Sequence, residues 1–216
     1  MGLIGLLLGL NRDVLLSFLG LRIPTFIGEV LDIIIMALVL GYVFMMFFNV
    51  PRKDYDPLTN VGFDWYGFKI AIVVIAPAII LHELAHKFVA IGFGISATFY
   101  AAYGFLLLAI LLRYFRFPFL FFVPGYVAYT PIEAIAPSLL VPVAGPLVHL
   151  FFFIGCLVLI KNVKFGKMIF KTKYNNVLPI LHLIKYVNLF LFVLNMLPIP
   201  GFDGGYFFFT LFRLIF

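Results

Sequence analysis

Apolar and polar positions alternate in long blocks along this chain, and the blocks have the lengths of membrane-crossing helices. A helix that spans a bilayer needs about 20 mostly apolar residues. Four stretches meet that requirement, at roughly 26–49, 68–93, 139–160 and 178–200. Segment 1–22 is also apolar, but Asn11, Arg12, Asp13 and Arg22 interrupt it. That predicts an interfacial or half-inserted helix rather than a span. The segment lacks a basic start ahead of its apolar run and a small-residue cleavage site, so it reads poorly as a secretory signal. The first two spans are joined by "NVPRKDYDPLTNVGFDWYG", a polar loop with two prolines.

Residues 94–138 follow a different pattern. "ISATFYAAY" is rich in aromatic and β-branched residues and suits a strand. "GFLLLAILL" is too short to span, "RYFR" interrupts it, and "FPFLFFVPGYVAY" is broken by prolines. One straight helix here would set Arg113 and Arg116 in mid-membrane, which is costly. A re-entrant hairpin with its arginines at an interface fits better. The tail "GGYFFFTLFRLIF" is too short to cross again. With no internal repeat and no low-complexity linker, residues 1–216 read as a single membrane domain. The expected fold is an all-α multi-pass membrane protein. It has about four full transmembrane helices, a re-entrant hairpin or short β segment, and an interfacial N-terminal helix.

Composition agrees. The 216 residues are 65% hydrophobic and 11% charged, against about 45–50% apolar and about 25% charged in soluble domains. The mean hydropathy is +1.19. A soluble fold of this size would lack the polar surface to cover its core. The net charge of +6 comes from scattered Lys and Arg with no solvated basic face. This marks the lipid bilayer, not nucleic acid, as the partner. The single Cys156 lies in an apolar run and excludes a disulfide framework within the chain.

Against this apolar background, "IILHELAHKFVA" contains His82-Glu83-Leu84-Ala85-His86, an H-E-x-x-H pattern. Helical positions i and i+4 stack on one face, so both imidazoles can reach one ion. Glu83 adjoins the first of them, where a carboxylate can act on water as a general base. A catalytic zinc takes three protein ligands and leaves a position open, so a third is expected. The chain has nine acidic residues and four histidines. Asp13, Asp54, Asp56 and Asp64 lie in polar or interfacial segments, and Glu29 and Asp32 read as interfacial anchors of the first span. His149 and His182 fall in the third and fourth spans, with His149 read as a packing or supporting residue. Glu133 lies in a loop. Asp203 stands out through its setting, "NMLPIPGFDGG": Pro198 and Pro200 break the helix, and Gly201, Gly204 and Gly205 let backbone approach closely. His182, Lys185 and Asn188 recur every three residues, with Asn195 one heptad beyond Asn188. They read as one polar face of the fourth span, for helix packing or for a hydrated path.

H-E-x-x-H in a membrane span, followed much later by N-x-x-P-x-P-x-x-D-G (here Asn195, Pro198, Pro200, Asp203 and Gly204), resembles the site-2 protease family of intramembrane zinc metalloproteases. Phe202 replaces the leucine usual before the aspartate. "VAGPLVHL" at 143–150 resembles an Ala-Gly-Pro stretch of the same family, although His149 stands where a small polar residue is more usual. The resemblance covers roughly residues 68–210, making 68–205 the catalytic core and leaving 1–67 for the N-terminal helix and first span. It implies one zinc ion held by His82, His86 and Asp203, with Glu83 as general base. It also implies that Asn195 holds the substrate backbone or the oxyanion, and that the substrate is a transmembrane segment of another protein. Two other readings remain open. One is a membrane zincin with Glu133 as third ligand. The other is a non-catalytic scaffold or transporter whose structural zinc is closed by His149 or His182.

A shared site for His82, His86 and Asp203 requires the ends of spans two and four on one side, which favours the hairpin over a further crossing. The resemblance implies a site nearer the cytoplasmic face. Yet "KNVKFGKMIFKTK", between spans three and four, carries five lysines on the opposite side, and the positive-inside rule would make that loop cytoplasmic. Arg12, Arg22, Lys87, Arg113, Arg116 and Arg213, read on the site's side, nearly balance it.

Overall fold

The computed structural model describes residues 9–48, 63–117, 123–132 and 134–216. In chain order the elements are α1 (Arg12–Phe18), α2 (Thr25–Phe44, prolonged by a 3-10 turn Met45–Phe48), α3 (Trp65–Gly92), β1 (Ala97–Ala101) and α4 (Tyr103–Tyr114). There follow β2 (Gly125–Tyr129), α5 (Ile135–Lys161), α6 (Val163–Phe170), α7 (Tyr174–Asn195) and α8 (Asp203–Ile215). Four helical segments are long and apolar enough to cross a membrane: Thr25–Phe48, Trp65–Gly92, Ile135–Lys161 and Val177–Asn195. The protein is an all-α multi-pass integral membrane protein with a small two-stranded sheet. β1 and β2 are antiparallel, with Ser96 opposite Thr130 and Ala102 opposite Pro124. The fourth span ends at Asn195 rather than near residue 200, because Pro198 and Pro200 cannot continue its hydrogen-bond ladder. Residues 49–62, 118–122 and Glu133, which carry the predicted polar loop, part of the hairpin and the alternative ligand, lie outside the described residues.

The chain forms two compact units. One comprises residues 1–77 and 100–126, the other 78–99 and 127–216. In the first, α2 buries the stripe Gly28, Asp32, Met36, Leu40 and Val43 and turns Phe26, Ile27, Val30, Leu31, Ile34 and Leu38 outward. An apolar outward face is what lipid requires. Asp32 and Glu29 are buried, not interfacial anchors, and Arg12 of α1 is buried with them. The Arg12 guanidinium donates to Asp32 Oδ2 at 2.8 Å, and the Tyr103 hydroxyl donates to Asp32 Oδ1 at 2.6 Å. Gly28 makes room for this arginine, since a Cβ there would lie 2.5 Å from Arg12 Nε. Asp13 accepts from the Tyr100 hydroxyl at 2.6 Å, and Asn11 donates to the Tyr126 hydroxyl at 3.1 Å. The N-terminal helix is thus fastened by paired charges, which apolar surroundings permit only when every partner is present.

Arg113 ties α4 to the first span. It reaches the C-terminal end of α2, donating to the Tyr42 carbonyl and, at 2.9 Å, to the Val43 carbonyl. Its guanidinium also lies 4.2 Å from the Tyr42 ring centroid. Carbonyls of a last helical turn have no partner within their own helix, so this arginine supplies one.

In the second unit α5 packs along α7 and α8. The lysine-rich segment is a short amphipathic helix, α6, rather than a loop. Asn162 caps it by accepting from Phe165 N at 3.2 Å, and Val163, Met168 and Ile169 are exposed beside Lys164 and Lys167, as in a helix lying in a headgroup plane. Cys156 is buried.

Removing Arg12 alone strands a buried carboxylate. Arg12→Ala should therefore destabilise the detergent-solubilised protein by about 3 kcal/mol, whereas Arg12→Met with Asp32→Leu should recover most of that loss. Thermal unfolding followed by circular dichroism checks both.

Candidate metal centre

The buried positions Ala71, Ile75, Ala78, His82 and His86 fall at helical spacing on one stripe of α3, so the packed face carries both imidazoles. Asp203 is the first residue of α8, and the turn that brings it there is fixed by glycines. Gly201 has φ of +95°, which side chains rarely tolerate. A Cβ on Gly204 would strike the Met196 and Leu197 carbonyls, and one on Gly205 the Ile199 carbonyl. The start of α8 therefore sits hard against the end of α7.

Three ligand atoms meet. His82 Nε2 and His86 Nε2 are 3.1 Å apart. They lie 3.1 and 3.3 Å from Asp203 Oδ2. Among the described residues His82, His86 and Asp203 form a group that could hold a metal ion. The geometry fits zinc, since tetrahedral bonds of about 2.0–2.1 Å place ligand atoms about 3.3 Å apart. The charge fits too. Burial alone would raise the Asp203 carboxyl, but hydrogen bonds and charges from His82 and His86 outweigh it and hold it below the usual carboxylate range.

The helix α5 presents one i, i+4, i+8 stripe to the two histidines: Val141, Gly145 and His149. The Val141 carbonyl accepts from His86 Nδ1 at 2.7 Å. A carbonyl only accepts, so His86 carries its proton on Nδ1 and keeps the Nε2 lone pair free. Gly145 is the gap that admits the rings, because a Cβ there would sit 2.6 Å from His82 Cε1 and 2.7 Å from His82 Nε2. His149 stacks on His82, with centroids 4.8 Å apart and planes at 29°. His149 Nδ1 in turn donates to Asn188 Oδ1 at 3.0 Å.

Of the residues expected from sequence, His82, His86 and Asp203 come together. Glu83 is half-buried beside them, within reach of the charges of all three. Asn195 is the half-buried last residue of α7, and among the described residues no hydrogen bond joins it to the three donors. His182 stands apart, stacked on Tyr186 at 6.4 Å, with Lys185 Nζ 4.1 Å from the same ring. His182, Lys185 and Asn188 do not share a face, because each three-residue step drifts by about 60° around a helix. Sequence reading gave His149 as a packing or supporting residue without naming His82 as its partner, and it missed the part of Gly145 and Tyr129 of β2. Burial first, then the neighbouring Tyr206, Asp203 and Glu83, push the Tyr129 phenol up. The i, i+4, i+8 spacing in α5 was the available signal for Gly145 and His149.

A protein of Methanocaldococcus jannaschii named "Putative zinc metalloprotease" is similar to this chain, 28% identical over 178 residues, which is 82% of this chain and 81% of that protein. No protein-family model and no solved structure matches the chain.

Gly145→Ala should favour the helix by about 1 kcal/mol and still weaken metal binding at least about tenfold, because the added methyl displaces ligand rings. Metal titration of the solubilised protein, with helicity as the control, checks this.

Proposed function

We propose that this protein is an intramembrane zinc endopeptidase of the site-2 protease kind, cleaving transmembrane segments of other proteins. The carrying observation is the convergence of His82, His86 and Asp203 to mutual distances of 3.1–3.3 Å within a helical membrane protein, with Glu83 beside them. Similarity to the archaeal protein supports the zinc and protease parts of the reading. The pairing of H-E-x-x-H with the Asn195–Gly204 motif supports the intramembrane part.

Zinc bound by these residues would polarise the scissile carbonyl and make a water at the site more acidic. Glu83 takes the proton of the attacking water and passes it to the leaving amide nitrogen. His86, oriented by the Val141 carbonyl, and Asp203, fixed by its glycine turn, keep the ligand set in place. Asn195, at the end of α7, offers an amide donor to the substrate backbone or to the developing oxyanion. The exposed, non-helical stretch Pro198–Gly201 lies next to Asp203. Irregular backbone at membrane depth needs protein or water around it, and water is the second substrate of hydrolysis.

Glu83→Gln should keep its zinc and lose about 10²–10⁴-fold in cleavage of a model transmembrane substrate; undiminished cleavage sinks the mechanism. Asp203→Ala should lose the metal, and Glu133→Ala should retain it. The reverse pattern favours the Glu133 zincin.

For orientation, Lys161 lies 20 residues beyond Val141 in α5, about 30 Å by helical rise, so α6 and the ligand site stand at opposite ends of that helix. We place the site nearer the cytoplasmic face, on the family resemblance, with α6 on the other. Lys167→Cys in a Cys156→Ala background should then react with an impermeant maleimide on intact cells. Reaction only after permeabilisation would reverse the orientation, as the positive-inside rule favours.

A further inference from the structure

The two histidine ligands are supported in different ways. His86 has a hydrogen-bonded Nδ1, given by Val141. Metal-binding imidazoles are ordinarily oriented in this manner, by a partner on the second ring nitrogen. His82 lacks it: among the described residues its Nδ1 is the buried side-chain nitrogen or oxygen left without a partner. The rotation of the His82 ring about χ2 therefore needs another restraint.

We propose that His149, locked by Asn188, is the positioning residue for His82, replacing the missing hydrogen bond with a ring contact. The restraint can be followed atom by atom. Asn188 Nδ2 donates to the Ile184 carbonyl at 2.9 Å, which fixes the amide so that Oδ1 faces α5. Oδ1 accepts from His149 Nδ1 at 3.0 Å, fixing the His149 ring. That ring lies against the face of His82, and a stacked neighbour at 4.8 Å opposes χ2 rotation of His82 because turning would drive one ring edge into the other. His149 and Asn188 are 1% and 0% exposed, so neither side chain has solvent into which to relax. α5 thus serves both ligands, one through a main-chain carbonyl and the other through a side chain held from α7. Sulfur or aliphatic side chains would fill the same space without a plane to impose.

This inference rests on the reading of His82, His86 and Asp203 as a metal site, and its test separates the two. Zn²⁺ and Co²⁺ dissociation constants would be measured on the solubilised full chain by chelator competition, together with the Co²⁺ visible spectrum and the unfolding temperature of the metal-free protein. His149→Ala should weaken binding about 10–100-fold, the scale of losing a ligand's support, and shift the Co²⁺ bands. His149→Phe keeps a ring against His82 and should restore affinity to within about threefold of the parent. Asn188→Leu should fall between them, with the metal-free unfolding temperature dropping less for His149→Phe than for His149→Ala. Parental affinity and an unshifted spectrum in His149→Ala overturn the proposal and leave the metal site intact. Loss of affinity in His149→Phe equal to that in His149→Ala also overturns it, since His149 would then act through its nitrogens. A parent chain that binds neither ion removes the metal reading, and the positioning role with it.

Discussion

One carboxylate oxygen lying within 3.3 Å of two imidazole nitrogens is the interaction on which the second unit depends. Polar groups are expensive at membrane depth, and three ligand atoms facing one another leave little room for error. The surrounding chain is shaped to allow that meeting. Gly145 leaves out a side chain where the rings enter, and Gly204 and Gly205 bring α8 against the carbonyls that end α7. Removing any of these small residues would push the ligand atoms apart while leaving each of them present. A cation bound between them would offset the cost of gathering them, which would make metal chemistry compatible with a membrane setting.

Elsewhere the same constraint is met by pairing. Asp32 uses both oxygens, on Arg12 and Tyr103. Arg113 satisfies carbonyls that end a helix. Asn188 spends its amide on the Ile184 carbonyl and its oxygen on His149. None of these groups is decoration on an apolar scaffold, since each answers a need created by burying backbone or charge where water does not compete.

How much of this could be read from the chain follows from range. Four spans are legible because length and apolar composition dictate them directly. His82 and His86 are legible because one helical turn separates them, and Asp203 because prolines and glycines mark its turn. Arg12 with Asp32, Arg113 with Tyr42, and His149 with His82 are not, since each joins separate elements and no local period announces the pairing. Asp32 looked interfacial because an acid near a span's start usually is. Regular spacing also misled: His182, Lys185 and Asn188 repeat every three residues, but the helix turns them apart, two toward Tyr186 and one toward His149.

The two contacts that tie α4 to α2 have a consequence for length. Tyr103 meets Asp32 near the start of α2, and Arg113 meets Tyr42 near its end. Ten residues separate the contacts on each helix, about 15 Å of rise on both. The two elements act as a matched ruler. An added turn in the first span, such as adaptation to a thicker bilayer would call for, has to be answered by an added turn in α4, or one end of the pair loses its partner. Sequences that drift in hydrophobic length at this position should therefore drift in both segments together.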